Sequence, residues 1–404
     1  MNTGDTAWVL ISSALVMLMT PALALFYGGM VRKKNLLSTI MFSFAMLALI
    51  SIQWVLYGYT LSFGPDIHGL IGGLKWFGLN GVGAEPNPDY AATIPHSVFM
   101  IFQMMFAIIT PALISGAFVE RIKFSSFIIF SLLWSTFVYD PVAHWVWGIG
   151  GWLRNLGALD FAGGTVVHIT AGYAALAFAT VIRKRKGFSA VAMEPNNIPF
   201  TVIGAGLLWF GWFGFNGGSA LGCNGLAANA FLVTNTAAAA AGLTWMFINW
   251  IYKRPSVIGT ATGVVVGLVA ITPASGFVSA TSAIFIGIIA SVISYFCIML
   301  RNRWKLDESL DVWACHGMGG TWGAIATGIF ASKAINPAGA DGLIYGNWSL
   351  VGTQFLAATA TIIYSFAITW ILAKVIDLIW GLSVSNAEEQ VGLDISQHGE
   401  EAYY

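Results

Sequence analysis

Apolar segments long enough to cross a bilayer recur from one end of this chain to the other, and they limit what it can fold into. A membrane-spanning helix needs about 20 mostly apolar residues. Eleven such stretches can be marked in the 404 residues, at 6–31, 36–63, 96–119, 124–142, 161–182, 198–218, 226–252, 256–273, 279–300, 310–332 and 349–380. Charged residues make up 9% of the chain, against about 25% in a soluble domain, so water cannot be its only solvent. The expected fold is an all-α integral membrane protein of eleven transmembrane helices, spanning 1–380, with a polar tail over 381–404.

Basic residues set the expected orientation. Arg32 to Lys34, Arg121 with Lys123, Arg183 to Lys186, Lys253 with Arg254, and Arg301, Arg303 and Lys305 all fall on one side of the spans. Only Lys75, Arg154 and Lys333 fall in loops on the other. The positive-inside rule places the first group in the cytoplasm, the N-terminus outside and the tail inside, as in a multi-pass protein of the cell membrane. The opening MNTGD carries no basic n-region and the basic residues follow the first span. That is the reverse of a signal peptide, so the first span is read as retained. Zero net charge gives no case for nucleic acid. Cys223, Cys297 and Cys315 form no paired motif and are read as small core residues. No catalytic, cofactor or metal constellation is read, and an enzyme is not expected. Loops 64–95 and 333–348 are rich in Gly, Pro and Asn and read as irregular; the sequon at Asn347 carries little weight.

Because the spans are odd in number, the first five and the second five would run in opposite directions. The halves, about 6–182 and 198–332, would form an inverted repeat with a site at their interface, as in many transporters, and 349–380 would stand outside it. His168 in the fifth span and His316 in the tenth occupy equivalent places. An ionisable group at membrane depth usually faces a pathway; the alternative is that each histidine merely bonds to a neighbouring backbone within a packed bundle. Asp160 and Asp311 precede the two spans and suit helix N-termini. Gly164 and Gly172, and Gly319, Gly320 and Gly323, share the histidines' faces, for close helix approach or for a narrow lumen. At about 1.5 Å per residue the imidazoles lie only about 10 Å in from opposite helix starts, and in a hydrocarbon layer about 30 Å thick they would miss each other by roughly 10 Å. They would meet only if both helix starts are sunk below the surface, where irregular backbone is tolerated beside a cavity.

A second constellation is aromatic. Phe102 and Phe106 share a helix face, Trp147 lies in AHWVWGIGG, and Trp212, Phe215, Asn216 and Ser219 lie on roughly one face of WFGWFGFNGGSA. Aromatic faces attract a cation, although aromatic belts are also routine at membrane interfaces.

The segments FQMMFAIITPALISGAFVER, DFAGGTVVHI, LLWFGWFGFNGGSA, AITPASGFV, DVWACHGMGG and GLDISQHGEEAY resemble the ammonium transporter (Amt/Mep/Rh) family along essentially the whole chain. Trp147 and Ser219 make it similar to the bacterial and archaeal Amt branch. The resemblance implies a homotrimer with a pore through each subunit. It implies an outer ammonium site at Phe106, Trp147 and Ser219 with Phe102 beside it, and Asp160 organising backbone nearby. It further implies a gate of Phe106 and Phe215, a pore pair of His168 and His316, and positions near the pore for Trp212 and Thr272. The substrate would be ammonium, with methylammonium as its analogue.

An apolar pore separates ammonium from potassium because desolvating an ion is far costlier than desolvating neutral ammonia, and potassium has no proton to give up. The histidines would bond ammonia and relay the proton, with Asp160 a cap rather than the acceptor. Two other readings compete. A sensor would signal through the acidic tail, which resembles the region that contacts a trimeric P-II-type signalling protein, but no output domain is fused to the chain. A channel for neutral gas would not need the cation-attracting Trp147 and Ser219.

Overall fold

Helices stand at all eleven expected positions in the computed structural model, which describes residues 1–252 and 254–403; Lys253 lies outside the described residues. They are α1 (Thr3–Met30), α2 (Lys33–Phe63), α3 (His96–Ala117), α4 (124–147), α5 (Gly164–Val181), α6 (Ile198–Gly218), α7 (Gly225–Tyr252), α8 (Val257–Ile271), α9 (Ala280–Arg303), α10 (313–330) and α11 (Trp348–Ile379). Among the described residues, nine helices are long and apolar enough to cross a membrane, and α8, with 15 residues, falls short. Asn2, Asn197, Ser256, Ser279 and Asn347 each accept a first-turn N–H with their side chains, satisfying donors that have no partner within the helix.

Four helices carry a π turn: Trp54–Gly58 in α2, Ser135–Tyr139 in α4, Gly164–Ile169 in α5 and Trp313–Met318 in α10. Such turns recur at functional sites. The turn in α4 explains why this helix outruns its expected end at 142 and continues to Trp147. Asp140 and Pro141 read as a terminus, yet Pro141 sits in the first turn after the π segment, where a missing N–H is tolerated. Buried Asp140 receives the Gln53 amide at 2.7 Å.

Other expectations are corrected. The loop after α2 is not wholly irregular, since Asp66–Ile67 pairs antiparallel with Ile71–Gly72. Of the cysteines only Cys315 is core; Cys223 is exposed and Cys297 half-buried, because one lies in a loop turn and the other on an outward helix face. Asp311 does not cap α10. It pairs with Arg301 at 2.6 Å, and Glu308 accepts the Trp313 N–H at 3.2 Å instead.

The basic segments converge on buried carboxylates at one end of the bundle. Glu120 receives the Arg32 backbone N–H and the Arg185 guanidinium, both at 2.8 Å, and Arg185 also reaches Asp307 at 2.7 Å. Burial works against the charge on Glu120, yet Arg185 and Arg32 outweigh it and hold the carboxyl below its usual range. The tail docks here rather than trailing in solvent. Asp394 receives the N–H groups of Leu37 and Ser38 at 3.0 and 2.7 Å, capping the first turn of α2 from a distant part of the chain.

Candidate functional site

Two cavities approach the middle of the bundle from opposite ends. One, of about 390 Å³, reaches from Met30, Pro195 and Ser309 at the basic end to His316. The other, of about 190 Å³, is bordered by Phe106, Trp147 and Ser219 at the far end. Between them stand aromatic rings and the two imidazoles.

At the second cavity, the Phe106 and Trp147 rings meet edge to face at 6.0 Å, and Phe102 backs Phe106 at 4.9 Å. The donors of this site are already committed. Trp147 Nε1 donates to the Asp160 carbonyl at 2.9 Å, and the Ser219 hydroxyl donates to the Phe215 carbonyl at 2.8 Å. What Trp147, Phe106 and Ser219 leave available is π density and the Ser219 lone pairs, a set suited to a cation. Beneath it Phe106 and Phe215 lie 4.3 Å apart and almost fully buried, closing the cavity floor.

The Asp160 carboxylate spends both oxygens on the start of α5. It accepts the N–H groups of Gly163, Gly164, Thr165 and Val166 at 2.7–3.1 Å. Four donors on one carboxylate make a complete helix cap, and they anchor the backbone that carries Trp147's acceptor on one side and His168 on the other.

His168 and His316 meet through their Nδ1 atoms at 3.2 Å, both almost fully buried. Each belongs to a six-residue π turn followed by a twelve-residue α segment, Thr170–Val181 and Gly319–Phe330. Irregular, partly buried backbone precedes each turn, and the cavity at the basic end reaches His316. The glycines serve close approach rather than a lumen. A Cβ on Gly172 would land on the backbone of Gly317, and one on Gly323 on the carbonyl of Ala270. The His168 ring lies against both Trp212, at 5.5 Å, and Phe215, at 6.0 Å, which are themselves 5.5 Å apart. Trp212 is held by its Nε1 donating to the Thr272 hydroxyl at 2.8 Å, so Thr272 orients a ring beside the histidine. Buried His168 Nε2 has no partner among the described residues.

Asn216 leaves the constellation: its amide donates to Thr234 at 2.8 Å on α7. Gln103, Asp89 and Arg154 border the Trp147 cavity and were not singled out from the sequence. Gln103, one turn before Phe106, was legible from helical spacing. Asp89 and Arg154 come from separate loops, and nothing local signals them. Tyr27 in the other cavity was likewise not singled out, and Asp311, which also borders it, was read only as a helix cap.

The Ammonium Transporter Family model matches residues 7–403. The ammonium transporter of Bacillus subtilis is 52% identical over 405 residues, covering 100% of this chain and 99% of the relative. Ammonium transporter Amt1 of Archaeoglobus fulgidus is 53% identical over 403 residues, covering all of both chains. The crystal structure of Candida albicans Mep2 superposes with a TM-score of 0.91 at 35% identity, covering 100% of this chain and 91% of that one. With its apolar helices, this makes the protein a multi-pass membrane protein, and the chain belongs to the ammonium transporter family.

Proposed function

We propose that this protein carries ammonium across the cell membrane through a pore in each subunit. Eleven helices would cross the bilayer as two inverted five-helix halves plus α11, with the N-terminus outside and the tail in the cytoplasm. Ammonium would be concentrated against Phe106, Trp147 and Ser219, with Phe102 supporting the ring. It would yield its proton at the Phe106–Phe215 closure, and ammonia would pass along His168 and His316 while the imidazoles relay the proton. Trp212 and Thr272 would hold the first imidazole in line. The single observation that carries this reading is the order of groups: cavity, cation-attracting rings, aromatic closure, paired imidazoles, second cavity. An ion would shed its water with little in return along the apolar part, whereas neutral ammonia loses far less.

Asp160 would act as a structural cap, since its four backbone donors leave little capacity to accept a proton from substrate. The family resemblance supports a homotrimer and a P-II-type partner at the tail. The sensor reading has less support, because the tail docks on its own helices. A neutral-gas channel would not require the cation-attracting set. Solid-supported-membrane electrophysiology on proteoliposomes tests the proposal. Ammonium should give a substrate-dependent current and potassium none; binding of ammonium without current would leave the sensor, and flux without current the gas channel.

A further inference from the structure

The cavity beside Trp147 is bordered by a neutral amide that the transport reading leaves unused. Gln103 lies on α3 one turn ahead of Phe106 and borders the same cavity as Phe106, Trp147 and Ser219. Its side-chain carbonyl oxygen is buried and has no hydrogen-bond partner among the described residues. Leaving a buried acceptor unpaired is unfavourable, and buried polar groups in native structures normally find a donor. The terminal torsion of a glutamine is broad, so the oxygen can swing toward a donor that enters the cavity.

Counting acceptors gives the consequence. Trp147 Nε1 and the Ser219 proton are spent on backbone carbonyls. The cavity therefore offers the π faces of Trp147 and Phe106 and the oxygens of Ser219 and Gln103, beside the Asp89 carboxylate and a Tyr90 hydroxyl already bonded to Phe63 and Ile149. Ammonium carries four N–H donors, methylammonium three, and potassium none. Asp89 and Arg154 also border the cavity with opposite charges, so their summed charge does not distinguish one monovalent cation from another.

We propose that Gln103 is a specificity-determining residue of the cation site, its side-chain carbonyl accepting an N–H of ammonium that methylammonium lacks and so setting the preference for ammonium over methylammonium. This rests on the transport reading above. Methylammonium has one N–H fewer and turns a methyl group where ammonium would donate to Gln103. With an apolar side chain there, the methyl group meets an apolar neighbour while ammonium loses a partner, so the loss falls on ammonium.

The test compares half-saturating concentrations of ammonium and methylammonium in proteoliposome currents for the wild-type protein, Gln103→Met and Gln103→Glu. Methionine keeps the length and removes the acceptor; glutamate keeps an acceptor. Gln103→Met should raise the ammonium value about tenfold, equivalent to about 1.4 kcal/mol, and the methylammonium value by less than about twofold. Gln103→Glu should keep the ratio of the two within about twofold of wild type. Equal shifts for both cations in Gln103→Met, or no shift in either, overturn the proposal. Should Gln103→Met fail to fold, Gln103→Glu decides alone, a preserved ratio supporting the proposal and a collapsed one overturning it. Should the wild-type protein bind both cations without current, transport fails as a reading. Calorimetric titration of the same variants then reads the same ratio.

Discussion

His168 Nδ1 and His316 Nδ1 stand 3.2 Å apart, although 148 residues separate them in the chain. One of the two nitrogens must donate and the other accept, which orients both rings and directs the unpartnered Nε2 of His168 away from the pair. The contact exists because two six-residue π turns of matching layout, Gly164–Ile169 and Trp313–Met318, face each other at the centre of the bundle.

Replacing His168 by Asp should change which ions pass. A carboxylate at this position offers a cation a fixed negative charge where the pathway otherwise offers neutral rings, so potassium should begin to carry current. Recordings with a potassium gradient check this. An ammonium current and a potassium exclusion both equal to wild type would sink the relay role of the pair.

Adding one methyl group at Gly172 should break the pair without touching either histidine. The new Cβ would meet the backbone of Gly317, and backbone cannot move aside as a flexible side chain can. Gly172→Ala should therefore separate α5 from α10 and abolish ammonium current while the protein still inserts and purifies. Full current in this variant would show that the close approach is not needed.

Asp160 should behave as a cap. Asp160→Ala strands four N–H groups, and loss of a helix cap typically costs about 0.5–2 kcal/mol, with more expected where charged bonds are lost. Asp160→Asn keeps one acceptor oxygen. Melting temperature in detergent should fall in the order wild type, Asn, Ala; equal melting of all three would remove the structural role.

Thr272→Val should act on Trp212. The indole N–H would lose its acceptor, costing about 1–3 kcal/mol, and the ring stacked on His168 would lose its orientation. We expect reduced current and a lower melting temperature, with Thr272→Ser restoring both. A Val variant indistinguishable from wild type in current would mean that the bond does not position the ring.

Acid stability should report on the carboxylates at the basic end. Glu120 and Asp307 are desolvated, yet their arginine partners hold both below the usual carboxylate range. A carboxyl depressed on folding stabilises the protein above its unfolded value, about 4. That contribution is lost as pH falls through the folded value. Melting temperature should hold from pH 8 to about 5 and drop below about 4. Glu120→Gln should lower it at neutral pH and flatten the acid decline; an unchanged acid profile would count against the network.

The sequence by itself determined the helices, because apolar length is a local property and a bilayer forbids unpaired backbone. It also marked Phe102, Phe106, Trp147, Trp212, Phe215 and both histidines, since an imidazole in a glycine-rich apolar run is conspicuous on its own. Tertiary structure decided which of these residues meet. Asn216 shares a helix face with Ser219 yet turns to Thr234. Gln103 joins the cavity, and Glu308 rather than Asp311 caps α10. Each outcome is set by packing between helices: the partner of Asn216 lies on α7, the cavity neighbours of Gln103 come from distant parts of the chain, and Asp311 is drawn off by Arg301 of α9. The glycines make the point most directly: their spacing showed small residues beside the histidines, and only the packed backbone of the opposite half showed what the absent side chains make room for.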